Sequence, residues 1–319
     1  MTRGERKNLL NGLLFASPYL VGLAIFTLYP LVMSAYYSFC QYNVIAPPQW
    51  TGLNNYRELF FEDGRFWRSL ANTLLYTIVA VPVGMTIAVG LAVLLNQKLR
   101  GISIFRTVFF LPSIVPVVAS AILWLWVLNP ESGLINGTLK AFHVDSGINH
   151  LLVLFGLQPT FQLPGWLTSE DWSKPSLMLM SFWGMGGAMV IFLAGLTDVP
   201  DVLYEVAELD GAGPFRKFWN VTLPMLTPTI LFNLVIGLID SFQYFTQAYI
   251  MTSNTNSNGT PGGPLDSTLF YALYLYMNSF LYLRMGYASA MAWIMFIIIL
   301  SATCAVLVAS KRWVHYHGD

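Results

Sequence analysis

Charge is what this chain has least of: of its 319 residues, Lys and Arg account for 16 and Asp and Glu for 16, against 55% hydrophobic side chains. One water-facing surface cannot cover that much apolar area, so a single soluble domain is excluded and a bilayer is the natural solvent. Cysteine is scarce as well. Cys40 and Cys304 fall at different depths of proposed membrane spans, which makes them poor partners for a disulfide and leaves packing as their role. The four histidines offer no metal-ligand set: His143 and His150 share a loop without an acidic partner at a suitable spacing, and His315 and His317 end the chain. No lysine follows a glycine, so the phosphate-cradling GxxxxGK[ST] loop is missing and the chain is not its own ATPase of that type. Gly-Xaa-Ser-Xaa-Gly, His-Glu-Xaa-Xaa-His and Cys-Xaa-Xaa-Cys are missing too, which leaves an intramembrane enzyme with little support.

What is present is long charge-free runs. A helix crossing the hydrocarbon core needs roughly 20 apolar residues, and an ionised group at its centre costs about 2.5–3.5 kcal/mol. Six runs qualify: 10–39, 70–95, 107–128, 177–196, 228–251 and 287–310. The expected fold is therefore an all-α integral membrane bundle of six helices, one transmembrane domain over 1–319. The short run 150–156 cannot span and reads as a buried or interfacial helix under a loop. The first run is about twice the length of a secretory signal core and has no convincing cleavage site, so it reads as a retained span. With both termini inside, Lys and Arg divide ten inside to six outside, the bias expected of cytoplasmic segments.

Between the fourth and fifth spans lies "EVAELDGAGPFRKFWNVTLP", Glu205 to Pro224, within a cytoplasmic loop over about 198–227. Pro200 suits the first turn of a helix whose Val202, Val206 and Leu209 share one face while Asp201, Glu205 and Glu208 share the other. Gly211 stands where that helix would stop with a left-handed residue, and Pro214 where a second would start. Phe215, Phe218 and Trp219 give the second helix an aromatic face before Leu223 and Pro224 turn the chain back. So short a pair cannot bury its own apolar faces. One face must meet the membrane bundle and the other a partner, although aromatics lying in the membrane interface would account for the composition alone.

Glu205, Ala207, Asp210, Gly211, Ala212, Phe218, Leu223 and Pro224 occupy the places of the "EAA" loop, so the chain resembles the permease subunits of binding-protein-dependent ABC importers, with Val206 in place of the usual first alanine. The likeness extends through "FASPYLVGLAIFTLYPL", "WTGLNNY", "FRTVFFLPSIVPVVASAILWLWVLNPESGLIN", "FLAGLTDVP" and "RMGYASAMAW", and it narrows to the sugar-type permeases of the maltose and glycerol-phosphate importer kind. The Asn/Ser/Thr-rich stretch 253–260, ahead of Gly262-Gly263-Pro264, departs from that pattern. The resemblance implies a type I importer of a bacterial or archaeal cytoplasmic membrane, in which this chain holds no cofactor. ATP and Mg would be used by two cytoplasmic ABC ATPase subunits, an extracytoplasmic binding protein would deliver a sugar, polyol or sugar phosphate, and a second, homologous permease would complete the path. Glu205, Ala207, Asp210, Gly211, Ala212, Phe215, Phe218, Leu223 and Pro224 would form the ATPase-coupling loop, with Phe215 and Phe218 as apolar anchors. Nucleic acid is not an expected partner.

In the fifth run Asn233, Gly237, Asp240, Tyr244 and Gln247 recur at helical spacing and form one polar stripe. Such groups either bond neighbouring helices together or line a path for a hydroxyl-rich solute, and Phe182 and Trp183 are candidates to face the same space. The glycines of "FWGMGG" serve close helix packing equally well. An ion-coupled secondary transporter is the alternative from another class; it needs a coupling site and paired broken helices, and no repeat between the halves is visible.

Overall fold

The computed structural model describes residues 3–97, 99–155, 158, 162–253 and 259–314. Lys98, His315, His317 and positions 254–258 of the Asn/Ser/Thr-rich stretch lie outside them. Helices follow one another along the chain. α1 (Arg3–Leu23) continues through a π-helical turn, Ala24–Leu28, into α2 (Tyr29–Ser38). A two-residue ribbon, β1 (Cys40–Gln41) with β2 (Gln49–Trp50), leads to α3 (Asn54–Phe61) and the long α4 (Gly64–Leu95). Next come α5 (Ile102–Ile114), α6 (Val117–Val127), α7 (Leu134–Ala141), α8 (Val144–Leu154), α9 (Glu170–Trp183) and α10 (Gly186–Thr197). The remainder is α11 (Asp201–Leu209), α12 (Pro214–Lys217), α13 (Leu223–Met225), α14 (Thr227–Phe242), α15 (Thr246–Thr252), α16 (Tyr271–Tyr276) and α17 (Met285–Ser310).

Three of the six expected spans are continuous helices: Gly4–Ser38, Gly64–Leu95 and Met285–Ser310. The other three are bent. The expected third span, 107–128, breaks between α5 and α6 with a bend of 99°. The residue before a proline is driven out of the helical region, and Val115, ahead of Pro116, is extended at φ −67 and ψ 129. α9 and α10 meet at 47°, where Gly186 approaches the α5 backbone so closely that a Cβ there would sit 2.3 Å from the Phe109 carbonyl oxygen. The glycines of "FWGMGG" therefore do serve close packing at Gly186. The segment Pro214–Met225 enters α14 at 65°, and the expected fifth span, 228–251, stops at Phe242 and resumes at Thr246. Six spans result when each bent pair counts as one.

The chain forms two compact units. In the unit of Met1–Gly64 with Leu275–Ile297, the ribbon pairs Cys40 with Trp50 and Gln41 with Gln49. Asn55 of "WTGLNNY" donates its amide to the carbonyls of Ser38 (2.8 Å) and Cys40 (2.9 Å), and Arg284 grips Glu58 at 2.6 Å. In the unit of Arg65–Tyr274 with Ile298–Asp319, Ala88, Val89, Ala92 and Leu95 of α4 pack with Met189, Phe192, Leu193 and Leu196 of α10 and with Leu226. This core ends against the loop helices. It fixes the floor on which the candidate site is built.

Candidate coupling corner and solute cavity

α11 begins at Asp201; Pro200 itself stands just outside it, extended at φ −63 and ψ 129, rather than in its first turn. The helix stops as its sequence requires. Gly211 is left-handed at φ +75, its N–H donates to the Glu208 carbonyl at 2.9 Å, and the Ala212 N–H donates to the Ala207 carbonyl at 2.9 Å. These two bonds satisfy carbonyls a helix end leaves orphaned, so Ala207 and Ala212 bracket the stop through their backbones. Gly213 is then extended, and Pro214 opens α12 at its first position.

Beyond Pro214 the chain turns more widely than an α-helix. Residues Phe218–Thr222 are π-helical, and the Leu223 N–H donates to the Phe218 carbonyl. Pro224 has no N–H to give, and this wider turn is where the ladder accommodates it. Leu223 and Pro224 thus continue the helix; the turn toward the membrane comes one step later, at Leu226. The two loop helices are tied by a 3.0 Å hydrogen bond between the Tyr204 and Thr222 hydroxyls and by Lys217 on Glu208 at 2.6 Å. Lys217 holds the Glu208 carboxyl below its usual range, first by that hydrogen bond and then by its charge. The helical periodicity groups Glu208 with Asp201 and Glu205 on one face and does not anticipate this pair. The signal was there: an acid ends one helix and a base ends the next.

The loop separates its aromatics. Phe215 is 76% exposed and Trp219 is exposed beside it, whereas Phe218 is half-buried against the α4–α10 core. Phe218 therefore packs on the chain's own body, while Phe215 and Trp219 are left facing outward. On α11, Val202, Val206 and Leu209 are all exposed, Leu209 at 88%. Glu205 and Asp210 are exposed too and form no ion pair among the described residues.

The second feature is a cavity of about 690 Å³ walled by α4, α5, α6, α9, α10, α14 and the break that follows α14. Trp183, Asn233, Asp240, Tyr244 and Gln247 all line it, as does Gly237; Phe182 does not. The polar groups do not form one continuous helical stripe. Asn233, Gly237 and Asp240 come from α14, Tyr244 from the break, and Gln247 from α15. Tyr244 is buried, with its ring 4.6 Å from Tyr76, and this packing fixes the break that periodicity overlooks. Tyr76, Ser120, Ser181, Ser241 and Gln243 join the lining, and Tyr76 shares a hydrogen bond of 2.5 Å with Ser181. Those residues sit on separate segments, so no single-segment pattern could gather them. Among the described lining residues Asp240 is the sole formally charged side chain. Amides, hydroxyls, one carboxylate and ring faces can hydrogen-bond and stack a hydroxyl-rich molecule.

Residues 63–315 match the family described as the binding-protein-dependent transport system inner membrane component. The chain belongs to this family. Among its permeases, the probable ABC transporter permease protein YesP of Bacillus subtilis (strain 168) is 40% identical over 321 aligned positions, 99% of this chain and 96% of that one. The lactose transport system permease protein LacF of Rhizobium radiobacter is 31% identical over 91% of this chain and 90% of its own length. A chain of a bacterial alginate ABC transporter, solved in complex with an alginate pentasaccharide-bound periplasmic protein, superposes with a TM-score of 0.74 at 22% identity, covering 97% of this chain and 96% of that one. That likeness gives the fold, a type I ABC importer permease. Family membership makes the chain a membrane permease of an ABC importer and removes the ion-coupled alternative.

Proposed function

We propose that this permease, working as one domain over 1–319, passes a sugar or a related polyol through the cytoplasmic membrane with both termini inside. The observation that carries the reading is the cavity around Asp240, where polar groups from separate segments converge with the ring faces of Trp183, Tyr76 and Tyr244. Relatives named for lactose and sulfoquinovosyl glycerol transport support the substrate class. An extracytoplasmic binding protein delivers the solute, a second permease completes the path, and two ATPase subunits consume ATP and Mg; this chain binds neither. Glu205, Ala207, Asp210, Gly211, Ala212, Phe215, Phe218, Leu223 and Pro224 form the coupling corner, with Phe218 seating it on the core. The exposed row Val202, Val206, Leu209 and Phe215 is the face an ATPase cleft would cover, so closure of the ATPases moves the helices as a rigid body. The test is uptake of radiolabelled lactose and maltose into proteoliposomes carrying the complex purified from its native membrane. Uptake that needs internal ATP and external binding protein supports the reading. Uptake driven by an ion gradient through this chain alone overturns it.

A further inference from the structure

The stretch "QWTGLNNYRELF", which the coupling mechanism does not use, builds the wall of a second concavity. It encloses about 710 Å³ within the unit of Met1–Gly64 and Leu275–Ile297, between the ribbon loop, the start of α3 and the turn ahead of α17. Such a volume falls in the range of small-molecule sites. Its shape is set by fixed contacts. Arg284 holds Glu58 through both carboxylate oxygens at 2.6 Å and lies 4.3 Å over the Tyr287 ring, while the Gly286 N–H bonds the Tyr42 carbonyl at 3.1 Å.

Two observations mark it as more than a surface dent. The side-chain amides of Gln41, Gln49 and Asn54 line it and make no hydrogen bond among the described residues, so donors and acceptors are presented together from strand and helix. In addition, two segments of its rim hold non-glycine residues in left-handed backbone: Val44, beside lining residues Asn43 and Ile45, at φ 70, and lining residue Leu283 at φ 54. A β-branched residue in that region is an outlier, and strain of this kind gathers at ligand clamps. The one acid and the one base in the lining neutralise each other, so the site has no net charge to attract an ion. Open amides, the Tyr42 and Tyr282 rings and a neutral wall are chemistry for an uncharged saccharide.

We propose that this concavity is a second, low-affinity saccharide site, separate from the cavity around Asp240, that takes neutral oligosaccharide. On the orientation proposed above it opens outside the membrane. The full-length chain with its partner permease, in nanodiscs, is probed with maltotriose and with trigalacturonate by saturation-transfer NMR. Maltotriose transfer is expected, with trigalacturonate at least tenfold weaker. Asp240→Leu, which disables the inner cavity, leaves transfer in place, and adding Gln49→Ala and Asn54→Ala to that variant removes it. No transfer at 10 mM maltotriose, or transfer lost in Asp240→Leu, overturns the proposal. So does a triple variant that keeps full maltotriose transfer; if it also no longer binds the extracytoplasmic binding protein, the surface serves protein docking.

Discussion

The corner at Gly211 and the cavity around Asp240 belong to the same compact unit but are built in opposite ways. The corner is local: a helix stop, two carbonyl-satisfying bonds and a proline start, all within Ala207–Pro214. The cavity is assembled from segments far apart in sequence, from Tyr76 to Gln247, each contributing one or two groups. A local device fails when one backbone angle is wrong, whereas a shared lining loses one contact at a time. Substitutions at the corner should therefore abolish coupling at once, and those in the cavity should grade it.

Gly211→Val gives the largest expected effect. Its left-handed φ of +75 is the obstacle, since among the described residues nothing beyond its own chain neighbours lies within 4 Å of where a Cβ would stand. Holding a β-branched residue there costs about 1–3 kcal/mol, enough to lower the population of the docked corner roughly five- to 150-fold. Uptake and ATPase stimulation by loaded binding protein should fall together while the protein remains inserted. Gly211→Asn, which tolerates this backbone, should retain most of both. Equal loss in the two variants would show that the space outside the chain matters, not the backbone angle.

Phe215 and Phe218 sharpen the comparison within the corner itself. Truncating half-buried Phe218 removes packing against the α4–α10 core cluster, so Phe218→Ala should lower thermal stability by about 1–3 kcal/mol. Exposed Phe215 touches mainly the ring of Trp219, and Phe215→Ala should leave unfolding nearly unchanged but weaken copurification of the ATPase by about tenfold or more if it is an interface anchor. Swapped outcomes would mean that the wider turn at Phe218–Thr222 does not rotate the aromatics as described.

Asp240 tests the graded side. Asp240→Asn keeps shape and hydrogen bonding, so transport should stay within about twofold; Asp240→Leu, losing a polar contact worth about 1–1.5 kcal/mol, should cost roughly tenfold. Normal uptake by Asp240→Leu at normal expression would remove Asp240 from the path. Loss of the protein from the membrane would instead identify a packing role.

The same contrast explains what could be read in advance. The six-span count, the Gly211 stop and the Pro214 start rest on hydropathy and on φ preferences, both properties of a few adjacent residues. The inward turn of Phe218 depends on a π-helical stretch that no periodicity of 3.6 anticipates. Likewise the polar stripe suggested one helix through Gln247, but burial of Tyr244 beside Tyr76 and Phe270 favours a break. The bend at Val115 was legible in principle, since it precedes Pro116, yet a charge-free run masks it. Phe182 misled for a similar reason: its neighbour Trp183 faces the cavity, and adjacent residues on a helix point about 100° apart.

Glu208 gives the smallest expected effect. Its carboxyl is exposed and sits below its usual range because Lys217 bonds it, so the pair favours the folded corner above the ordinary carboxylate value. That contribution fades as pH falls through the lower, folded value. Glu208 faces solvent although the Lys217 side chain is mostly buried, and water and salt screen the exposed carboxylate, so Glu208→Gln should change uptake and ATPase stimulation at pH 7 by less than about twofold. In thermal unfolding, the wild-type advantage over Glu208→Gln should be small at neutral pH, should shrink with added salt, and should vanish in acid. A tenfold loss of stimulation in Glu208→Gln with unchanged unfolding would assign the carboxylate to a contact with the ATPase instead, and would place the boundary between scaffold and docking surface one helical turn closer to Gly211 than Lys217 implies.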